Sequence, residues 1–217
     1  MDPKWFLSTQ ILFTHTVFNP DTMNLVIVEY NAGNVQSVIY ALERQGVSPR
    51  LSADPDVIRG ADKVIFPGVG EASSTMRYLH AQGLGQVICD LRQPVLGICL
   101  GMQLMCSHSA EGDTPCLGIF DEPVLRFPAQ AQKVPHMGWN RLEQLQSSLL
   151  DNLGPSPYVY FVHSYYVAAG PDTIALANYI LPFSAALHRD NFYATQFHPE
   201  KSGSTGAQIL TNFLALS

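Results

Sequence analysis

A cysteine lies between two glycines where an apolar run ends, in the segment PVLGICLGMQ at residues 94–103. In this G-x-C-x-G pattern Gly97 and Gly101 flank Cys99, each two residues away. Nucleophilic serines with the same glycine spacing occupy a sharp, strained turn from a strand to a helix, because larger flanking side chains would block the turn. The pattern predicts a reactive thiol at Cys99, whose thiolate the N-terminus of the next helix would favour. The alternative is a buried structural cysteine between packing glycines.

Such a nucleophile needs hydrogen-bond donors for the oxyanion that forms during acyl transfer. The amide of Leu100, one residue after the cysteine, is placed to supply one donor. In the segment FPGVG at residues 66–70, Gly68 and Gly70 would let the backbone approach a ligand and supply a second donor. Glycine-rich loops also bind phosphate, but the sequence contains neither G-x-G-x-x-G nor G-K-S/T, so nucleotide binding lacks its usual residues.

The thiol also needs a base, and His198 in YATQFHPEKSG follows a short apolar run that places it at a strand end. Pro199 would fix the turn after it, and Glu200 would hold the imidazole in one tautomer and stabilise its charged form. The three residue types form a nucleophile, base and orienting acid. The alternative for His198 is a surface turn. His163 in YFVHSYY is the rival base, although its place inside a strand suits a structural role better.

The elements that must position these residues alternate between strand and helix in the first half of the chain. Asn34 is placed to cap a helix that stops at Gly46, and Asp54 would cap a short turn with Pro55 at its first position. The predicted strands are NLVIVEY, KVIFPG and QPVLGIC, and the predicted helices are VQSVIYALERQ, EASSTMRYLHAQG and LGMQLMCSHS. This alternation with short connections predicts a parallel sheet covered by helices on both faces.

After about residue 115 the pattern changes to strand-like segments, which predict an added antiparallel or mixed section. These segments are EPVLRFP, MGWNRLEQ, PYVYFVHSYYV, DTIALANYI, FSAALHRD and NFYATQFHPE, with a small helix at SSLLDNL and a last helix at STGAQILTNFLALS. We therefore predict one α/β domain over residues 23–217. Its sheet is mixed but mainly parallel and flanked by helices, of the flavodoxin-like type.

Composition excludes several classes of protein. The 217 residues are 47% hydrophobic and only 14% charged, which is typical of a globular domain. The formal net charge of −6 argues against nucleic-acid binding, which needs clustered Lys and Arg. No apolar run approaches the roughly 18 to 20 residues of a membrane span.

The cysteines and the first residues give two further expectations. The four cysteines, Cys89, Cys99, Cys106 and Cys116, have neither CxxC pairing nor metal-ligand spacing, so we expect reduced thiols in the cytoplasm and no metal. Residues 1–22 have neither a steady period nor the pattern of a signal peptide. We expect them to be a disordered or non-native extension, with Met23 as the working start of the domain.

Taken together, these segments resemble the class I, triad-type glutamine amidotransferases. The resemblance runs from about Met23 to Ser217 and rests on PGVG for the oxyanion strand, GICLGMQ for the nucleophile turn and HPE for the rest of the triad. The segments NAGNVQSV, KVPHMGWN, YFVHSYY and QFHPEKSG are more narrowly similar to the glutaminase subunits of imidazole glycerol phosphate synthase, which belong to histidine biosynthesis.

The resemblance implies a role for each matching residue. Cys99 would attack the side-chain amide of glutamine and form a glutamyl thioester, while His198, oriented by Glu200, would pass the proton to the leaving ammonia and later activate water. The amides of Leu100 and Gly70 would bind the oxyanion. Glutamine recognition would fall to Gly68, Val69, Gln103, His163, Ser164 and Tyr165. This acyl transfer through a covalent intermediate needs no cofactor and no metal.

The resemblance also implies a partner, a (β/α)₈-barrel cyclase subunit that receives the ammonia and makes imidazole glycerol phosphate and AICAR. We expect the interface to lie near Asn31, Asn34, Trp139 and Lys201, although Trp139 has a core position as its alternative. We also expect that the amides of FPGVG are not all aimed at the oxyanion when the partner is absent. No nucleic acid or membrane is expected to bind.

Three other functions remain open at this point. A glutaminase subunit of another synthase, such as anthranilate synthase, would have the same triad, but KVPHMGWN and Lys201 argue against it. A non-catalytic binding subunit would keep the fold without the chemistry. A stand-alone cysteine peptidase would need a cleft for an extended peptide, which nothing in the sequence indicates.

Overall fold

A seven-stranded sheet forms the centre of the computed structural model, which describes residues 23–30, 35–128 and 132–217. The strands, numbered in chain order, are β1 (Leu25–Val28), β2 (Arg50–Ser52), β3 (Lys63–Phe66), β4 (Val95–Ile98), β5 (His108–Ser109), β6 (Thr114–Pro115), β7 (Val124–Arg126), β8 (His136–Arg141), β9 (Tyr158–His163), β10 (Tyr165–Val167), β11 (Thr173–Asn178), β12 (Pro182–Arg189) and β13 (Phe192–Thr195). The helices are α1 (Gln36–Glu43), α2 (Pro55–Arg59), α3 (Ala72–Ala81), α4 (Leu84–Cys89), α5 (Leu100–Met105) and α6 (Gly203–Ala215), with 3₁₀ turns at Ser148–Leu150 and Pro199–Lys201.

The order of the central sheet is β11-β12-β13-β4-β3-β1-β2. Strands β13, β4, β3, β1 and β2 are parallel, and β12 runs antiparallel to both of its neighbours. The prediction of a mixed, mainly parallel sheet with an antiparallel section late in the chain is therefore confirmed. The nucleophile segment follows β4, which lies at the middle of this sheet, and the His198 segment follows the neighbouring β13.

The core consists of two layers because side chains of the buried strands alternate between the two faces of the sheet. Leu25 and Ile27 of β1 pack with helices α1 and α6, whereas Val26 and Val28 pack with helices α2 to α5. Helices thus cover both faces, as the alternation of strands and helices predicts.

Two smaller sheets among the described residues complete the fold. One has the order β10-β7-β5-β6, and the other is an antiparallel ribbon of β8 and β9. The predicted strand PYVYFVHSYYV is divided at Ser164, so that β9 pairs with β8 whereas β10 pairs with β7. Ser164 lies between the two ladders, and its neighbours His163 and Tyr165 are the last paired residue of β9 and the first of β10.

Local signals explain two of the helix ends. Asp54 caps α2 through its carboxylate, which accepts a hydrogen bond from the Asp56 amide at 2.9 Å. Gly46 ends the α1 segment in a left-handed conformation with φ 81°. Val35 occupies the N-cap position of α1, and the predicted cap residue Asn34 lies outside the described residues.

Helix α4 and the short strands β2, β5 and β6 are not predicted from the sequence. Gly83 and Gly85 weigh against a helix at α4, where Gly83 begins the helix with φ 67°. No helix in the described part of the chain is long and apolar enough to cross a membrane. The expectation for residues 1–22 also falls outside the described ranges.

Candidate active site

The turn at Cys99 has the strained geometry that its flanking glycines predict. Cys99 lies between β4 and α5 with φ 54° and ψ −106°, in a region that residues other than glycine rarely adopt. A β-carbon on Gly101 would lie 1.9 Å from the Phe66 carbonyl oxygen, and one on Gly97 would lie 2.8 Å from the Met105 sulfur. Gly101 is therefore required for the close packing of β3 against α5, and Gly97 lets β4 pack closely against the first turns of α5.

The sulfur of Cys99 is nearly buried, since only 8% of the residue is exposed. The sulfur lies 3.9 Å from the Val162 carbonyl oxygen, to which the thiol donates. The amide nitrogen Nε2 of Gln196 donates to the same sulfur over 3.8 Å. Gln196 was not predicted as a site residue, because a glutamine two residues before a histidine matches no catalytic spacing pattern.

His198 and Glu200 form a tight buried pair. His198 Nδ1 lies 2.7 Å from Glu200 Oε1, and both side chains are almost fully buried. Burial lowers the pKa of His198, but the Cys99 sulfur and the Glu200 carboxylate outweigh it and raise this pKa to about 10. His198 Nε2 has no hydrogen-bond partner among the described residues. The imidazole is thus held by the acid on one side and keeps its other nitrogen for chemistry.

The turn that carries His198 is fastened to strand β9. The His198 amide donates to the Tyr160 carbonyl at 3.0 Å, and the Tyr160 amide donates to Ser202 Oγ at 2.9 Å. Ser202 Oγ in turn donates to the His198 carbonyl at 2.6 Å. The position of the imidazole therefore depends on the β8–β9 ribbon.

The segment Pro67–Gly70 adopts a conformation in which one of its carbonyl groups accepts a hydrogen bond from an expected oxyanion donor. The Leu100 amide donates to the Gly68 carbonyl at 3.4 Å. The Tyr30 hydroxyl donates to the Pro67 carbonyl, and burial raises the pKa of Tyr30 far above its ordinary range. Gly70 has φ 126°. The Leu100 amide is therefore not free for an oxyanion in this conformation. Where the amides of FPGVG point in the absence of a partner stays a prediction.

A cavity of about 370 Å³ opens onto the sulfur, within the size range of small-molecule sites. Its lining includes most of the residues singled out in the sequence: Val69, Gly70, Cys99, Leu100, Gln103, His163, Ser164, Tyr165, His198 and Lys201. Gly68 and Glu200 do not line it. Gly68 packs against α5, and Glu200 lies behind the His198 ring.

Gln103 is tied to its neighbours through both of its donor hydrogens. Its Nε2 donates to the Tyr165 carbonyl at 3.2 Å and to Gln196 Oε1 at 2.9 Å. Only the Oε1 atom of Gln103 then remains to bind a ligand in the cavity.

His163, the rival base, belongs to a chain of neutral rings. Its Nδ1 donates to the Tyr165 carbonyl at 2.7 Å, so its Nε2 accepts from His136 Nδ1 at 3.0 Å. Burial lowers the pKa of His163 to about 3 and that of His136 to about 4. A neutral ring with both nitrogens occupied cannot act as the base, which supports the structural role.

Glu111 also lines the cavity and was not identified from the sequence. Its Oε2 accepts a hydrogen bond from the Ala72 amide at 2.8 Å. Burial raises the pKa of Glu111 despite this hydrogen bond. The segment AEGDT reads as an ordinary polar turn, and no spacing rule relates it to Cys99.

The expected interface residues are only partly described. Trp139 is 56% exposed on β8, which excludes the alternative of a core position. Lys201 is exposed and lies at the cavity. Asn31 and Asn34 lie outside the described residues. Within the described ranges, no group of three or more His, Cys, Asp or Glu side chains is arranged to hold a metal ion.

Comparison with known sequences identifies similar proteins over almost the whole chain. A sequence model of the family described as glutamine amidotransferase class-I matches residues 26–216. The imidazole glycerol phosphate synthase subunit HisH of Bacteroides thetaiotaomicron is 58% identical over 196 residues, which cover 89% of this chain and 100% of that protein. The HisH subunit of Escherichia coli is 46% identical over 196 residues, with the same coverage.

Solved structures share the fold at lower sequence identity. A structure described as a glutamine amidotransferase has a TM-score of 0.66 and 20% identity, covering 88% of this chain and 98% of that one. The structure of PurLQS from Thermotoga maritima has a TM-score of 0.65 and 15% identity, covering 88% and 97%. At these identities the likeness concerns the fold alone.

Proposed function

The chain belongs to the class-I glutamine amidotransferase family, and on this premise we propose that it is the glutaminase subunit of an imidazole glycerol phosphate synthase. The reaction is the hydrolysis of glutamine to glutamate and ammonia. One observation carries the proposal: a strained Cys99 shares a cavity with His198, whose other ring nitrogen is bound to Glu200.

The first half of the reaction forms a thioester. The Cys99 thiolate attacks the side-chain amide carbon of glutamine, and the carbonyl oxygen becomes an oxyanion. The carbon–nitrogen bond then breaks while the His198 imidazolium gives its proton to the leaving nitrogen, which departs as ammonia. The raised pKa of His198 supports this role, because the ring is charged at neutral pH and holds the proton that the leaving group needs.

The second half returns the enzyme to its starting state. The neutral His198 takes a proton from water, and the resulting hydroxide attacks the glutamyl thioester. Glutamate leaves, and the thiolate and imidazolium form again. Glu200 orients the ring throughout and stabilises its charge, as the orienting acid of a triad does.

The oxyanion requires a rearrangement of Pro67–Gly70. We assign the two donors to the amides of Leu100 and Gly70, but the Leu100 amide is bound to the Gly68 carbonyl in the lone chain. Release of this carbonyl is therefore needed before full activity. This requirement gives a physical reason for low glutaminase activity without a partner.

Glutamine recognition uses the rest of the cavity. The substrate carries an α-ammonium group and an α-carboxylate, which need opposite partners. The carboxylate of Glu111 and the free Oε1 of Gln103 are acceptors suited to donors of the substrate. Val69 and residues 163–165 supply backbone and side-chain contacts around the same space.

The relatives are named as subunits of a synthase, which implies a partner subunit for this chain. We propose that the partner is a (β/α)₈-barrel cyclase that takes up the ammonia and makes imidazole glycerol phosphate and AICAR. Ammonia released into water at neutral pH would be protonated and lost, so a partner over the cavity keeps it reactive. A cytoplasmic location follows from this biosynthetic role.

The docking surface is the outer face of the β8–β9 ribbon. Met137, Trp139 and Tyr158 are 63%, 56% and 50% exposed, and Trp139 packs edge-on against Tyr160 across the strands. Exposed aromatic and methionine side chains of this kind are enriched at protein interfaces. Lys201 lies beside the cavity and would face the partner with them.

A glutaminase assay with and without the cyclase subunit tests the proposal. We expect slow hydrolysis by the lone chain, a large increase with the cyclase and its ligand, and no hydrolysis by Cys99→Ala. Cys89→Ala is the matched control, because Cys89 is a half-buried thiol on α4, away from the cavity. Full activity in Cys99→Ala would overturn the proposal.

Covalent labelling separates this function from a non-catalytic binding subunit. A glutamine-like electrophile should label Cys99 in the wild-type chain and be blocked by excess glutamine. A binding subunit would give no adduct. Stimulation by a different synthase subunit, and not by the cyclase, would identify the alternative glutaminase.

A further inference from the structure

Gln196 lies directly beside the nucleophile although nothing in its sequence position assigns it a role. It follows β13 and precedes the His198 turn, and it is fully buried. Its backbone amide donates to the Ala185 carbonyl at 2.8 Å, which fixes the start of its side chain. A buried amide side chain needs partners for its donors and its acceptor, so the partners around Gln196 determine which way its amide faces.

A chain of hydrogen bonds decides which end of the Gln196 amide faces the sulfur. The Tyr165 carbonyl only accepts, so Gln103 must turn its Nε2 toward it, over 3.2 Å. The same Nε2 donates to Gln196 Oε1 over 2.9 Å. With its oxygen thus engaged, Gln196 presents its Nε2 donor to Cys99 Sγ at 3.8 Å. The reversed amide would place two donors together and an oxygen against the sulfur.

The sulfur therefore lies between one acceptor and one donor. The Val162 carbonyl, 3.9 Å away, accepts from the thiol and so favours the protonated form. The Gln196 amide donates to sulfur and so favours the anion, because hydrogen bonds to a charged group are stronger than those to a neutral one. Of the titratable side chains that face the sulfur, His198 favours the anion through its positive charge, whereas Tyr30 stays neutral because burial raises its pKa. Gln196 is the uncharged donor that opposes the Val162 contact.

We infer that Gln196 is a positioning residue that holds the Cys99 sulfur in its anionic form, and that Gln103 acts on the sulfur through Gln196 by fixing the direction of its amide. This inference rests on the proposed function, in which Cys99 is the nucleophile. It gives Gln103 a second role besides lining the cavity. It also connects the junction between β9 and β10, through the Tyr165 carbonyl, to the Cys99 sulfur.

The pH dependence of Cys99 alkylation tests the inference. Iodoacetamide reacts with the thiolate, and peptide mass spectrometry separates Cys99 from the other three cysteines. We expect the pH at half-maximal alkylation to rise by about one unit in Gln196→Met, with roughly tenfold slower alkylation at neutral pH. Methionine preserves the length of the side chain but has no donor. A purely structural role would alter melting temperature without moving the pH profile.

Further variants complete the design. Gln208→Met is the control, because Gln208 donates to Asn212 on α6 and has no part in the cavity. Gln103→Met should shift the profile in the same direction, and the double variant should shift no further than Gln196→Met alone. If Gln196→Met does not fold, Gln196→Glu keeps the shape and should shift the profile upward as well.

The outcomes separate this inference from the proposed function. A folded Gln196→Met chain, or a folded Gln196→Glu chain in its place, with the wild-type pH profile overturns the inference and leaves the nucleophile in place. A wild-type Cys99 that glutamine does not protect from alkylation overturns the proposed function instead.

Discussion

At the scale of single residues, the site depends on the charge of one imidazole. His198 is buried, which by itself opposes a positive charge, yet its contacts with Cys99 and Glu200 raise its pKa to about 10. A pKa of about 10 makes the ring an imidazolium at neutral pH. The proton that ammonia needs is therefore in place before glutamine binds.

Removing the negative charge of Glu200 should show how strongly activity depends on the positive charge of His198. In Glu200→Gln we expect the pKa of His198 to fall well below 10, because the carboxylate that stabilises the imidazolium is lost while the burial remains. Glutaminase activity should fall roughly 10²- to 10⁴-fold, as in the loss of general acid–base catalysis. NMR titration of the His198 ring, together with the assay, measures both effects.

Asp113→Asn is the matched control for that experiment. Asp113 pairs with His108 at 3.0 Å, but this pair is exposed and neither residue lines the cavity. We expect wild-type activity in this variant. An unchanged His198 titration in Glu200→Gln would contradict the account.

The sequence predicts the site residues whose spacing the chemistry requires. It does not predict the site residues that only the fold brings together. Cys99 with its glycines and the His-Pro-Glu turn are visible because a strained turn and a triad require fixed local patterns. Glu111 and Gln196 have no such pattern. Glu111 reaches the cavity, and Gln196 reaches the Cys99 sulfur, only because the fold brings distant segments together, so both are found only in the structure.

At the scale of elements, close backbone contact between β3 and α5 sets the position of the nucleophile. Gly101 faces the Phe66 carbonyl so closely that a β-carbon there would lie 1.9 Å from the oxygen. The same contact places Gly68 against the first turn of α5. Gly101 of the nucleophile turn and Gly68 of FPGVG therefore lie at the same contact between the end of β3 and α5, where neither has room for a β-carbon.

Gly101→Ala should therefore damage both stability and activity. The added methyl group cannot be accommodated without moving β3 or α5, and we expect a loss of about 2–4 kcal/mol in the free energy of unfolding. Chemical denaturation measures it. Gly85→Ala on α4 is the control, because its β-carbon would meet a movable methyl group of Leu117 at 3.2 Å and no backbone atom outside its own helix within 4 Å. Equal stability of the two variants would contradict the packing argument.

The Tyr30 side chain, which follows strand β1, holds the segment Pro67–Gly70 in place. Because the Tyr30 hydroxyl donates to the Pro67 carbonyl, we expect Tyr30→Phe to loosen the conformation in which Gly68 occupies the Leu100 amide. Loss of one hydrogen bond, worth about 1 kcal/mol, should raise the glutaminase rate of the lone chain about fivefold and reduce its stimulation by the partner. Steady-state assays with and without the partner measure the two rates.

Tyr179→Phe controls for the loss of a tyrosine hydroxyl. Tyr179 donates to the Lys133 carbonyl at 2.7 Å, outside the Pro67–Gly70 segment. Its lone-chain rate should match wild type. A Tyr30→Phe rate at or below that of wild type would show that the hydroxyl does not hold the blocked conformation.

Alternation of strand and helix is predictable because buried parallel strands and amphipathic helices have distinct periods. The division of PYVYFVHSYYV at Ser164 is not, because most of its residues favour strands and only the partners β8 and β7 separate the two halves. Residues 163–165, at this junction, line the cavity.

At the scale of the whole molecule, strand β9 connects the expected docking surface to the turn that carries His198. Strand β9 carries the exposed Tyr158 on its outer face and binds the His198 turn through Tyr160. A partner on β8 and β9 would therefore contact the element that holds the base. This arrangement gives a direct physical route from docking to the catalytic turn.

Trp139→Ala should weaken the complex more than it changes the lone chain. Loss of a large exposed aromatic anchor is expected to raise the dissociation constant for the cyclase by at least tenfold, with the lone-chain glutaminase rate unchanged. Calorimetry of complex formation measures it. Leu51→Ala, on the edge strand β2, is the control. Equal affinity in Trp139→Ala and wild type would place the interface elsewhere.

The most direct test of the central claim is mass spectrometry of the chain quenched in acid during glutamine turnover with the cyclase present. We predict a glutamyl adduct on the peptide that contains Cys99, formed and lost at rates consistent with turnover and absent from Cys99→Ala. Turnover without any adduct on that peptide, or an adduct on another cysteine, would contradict the account.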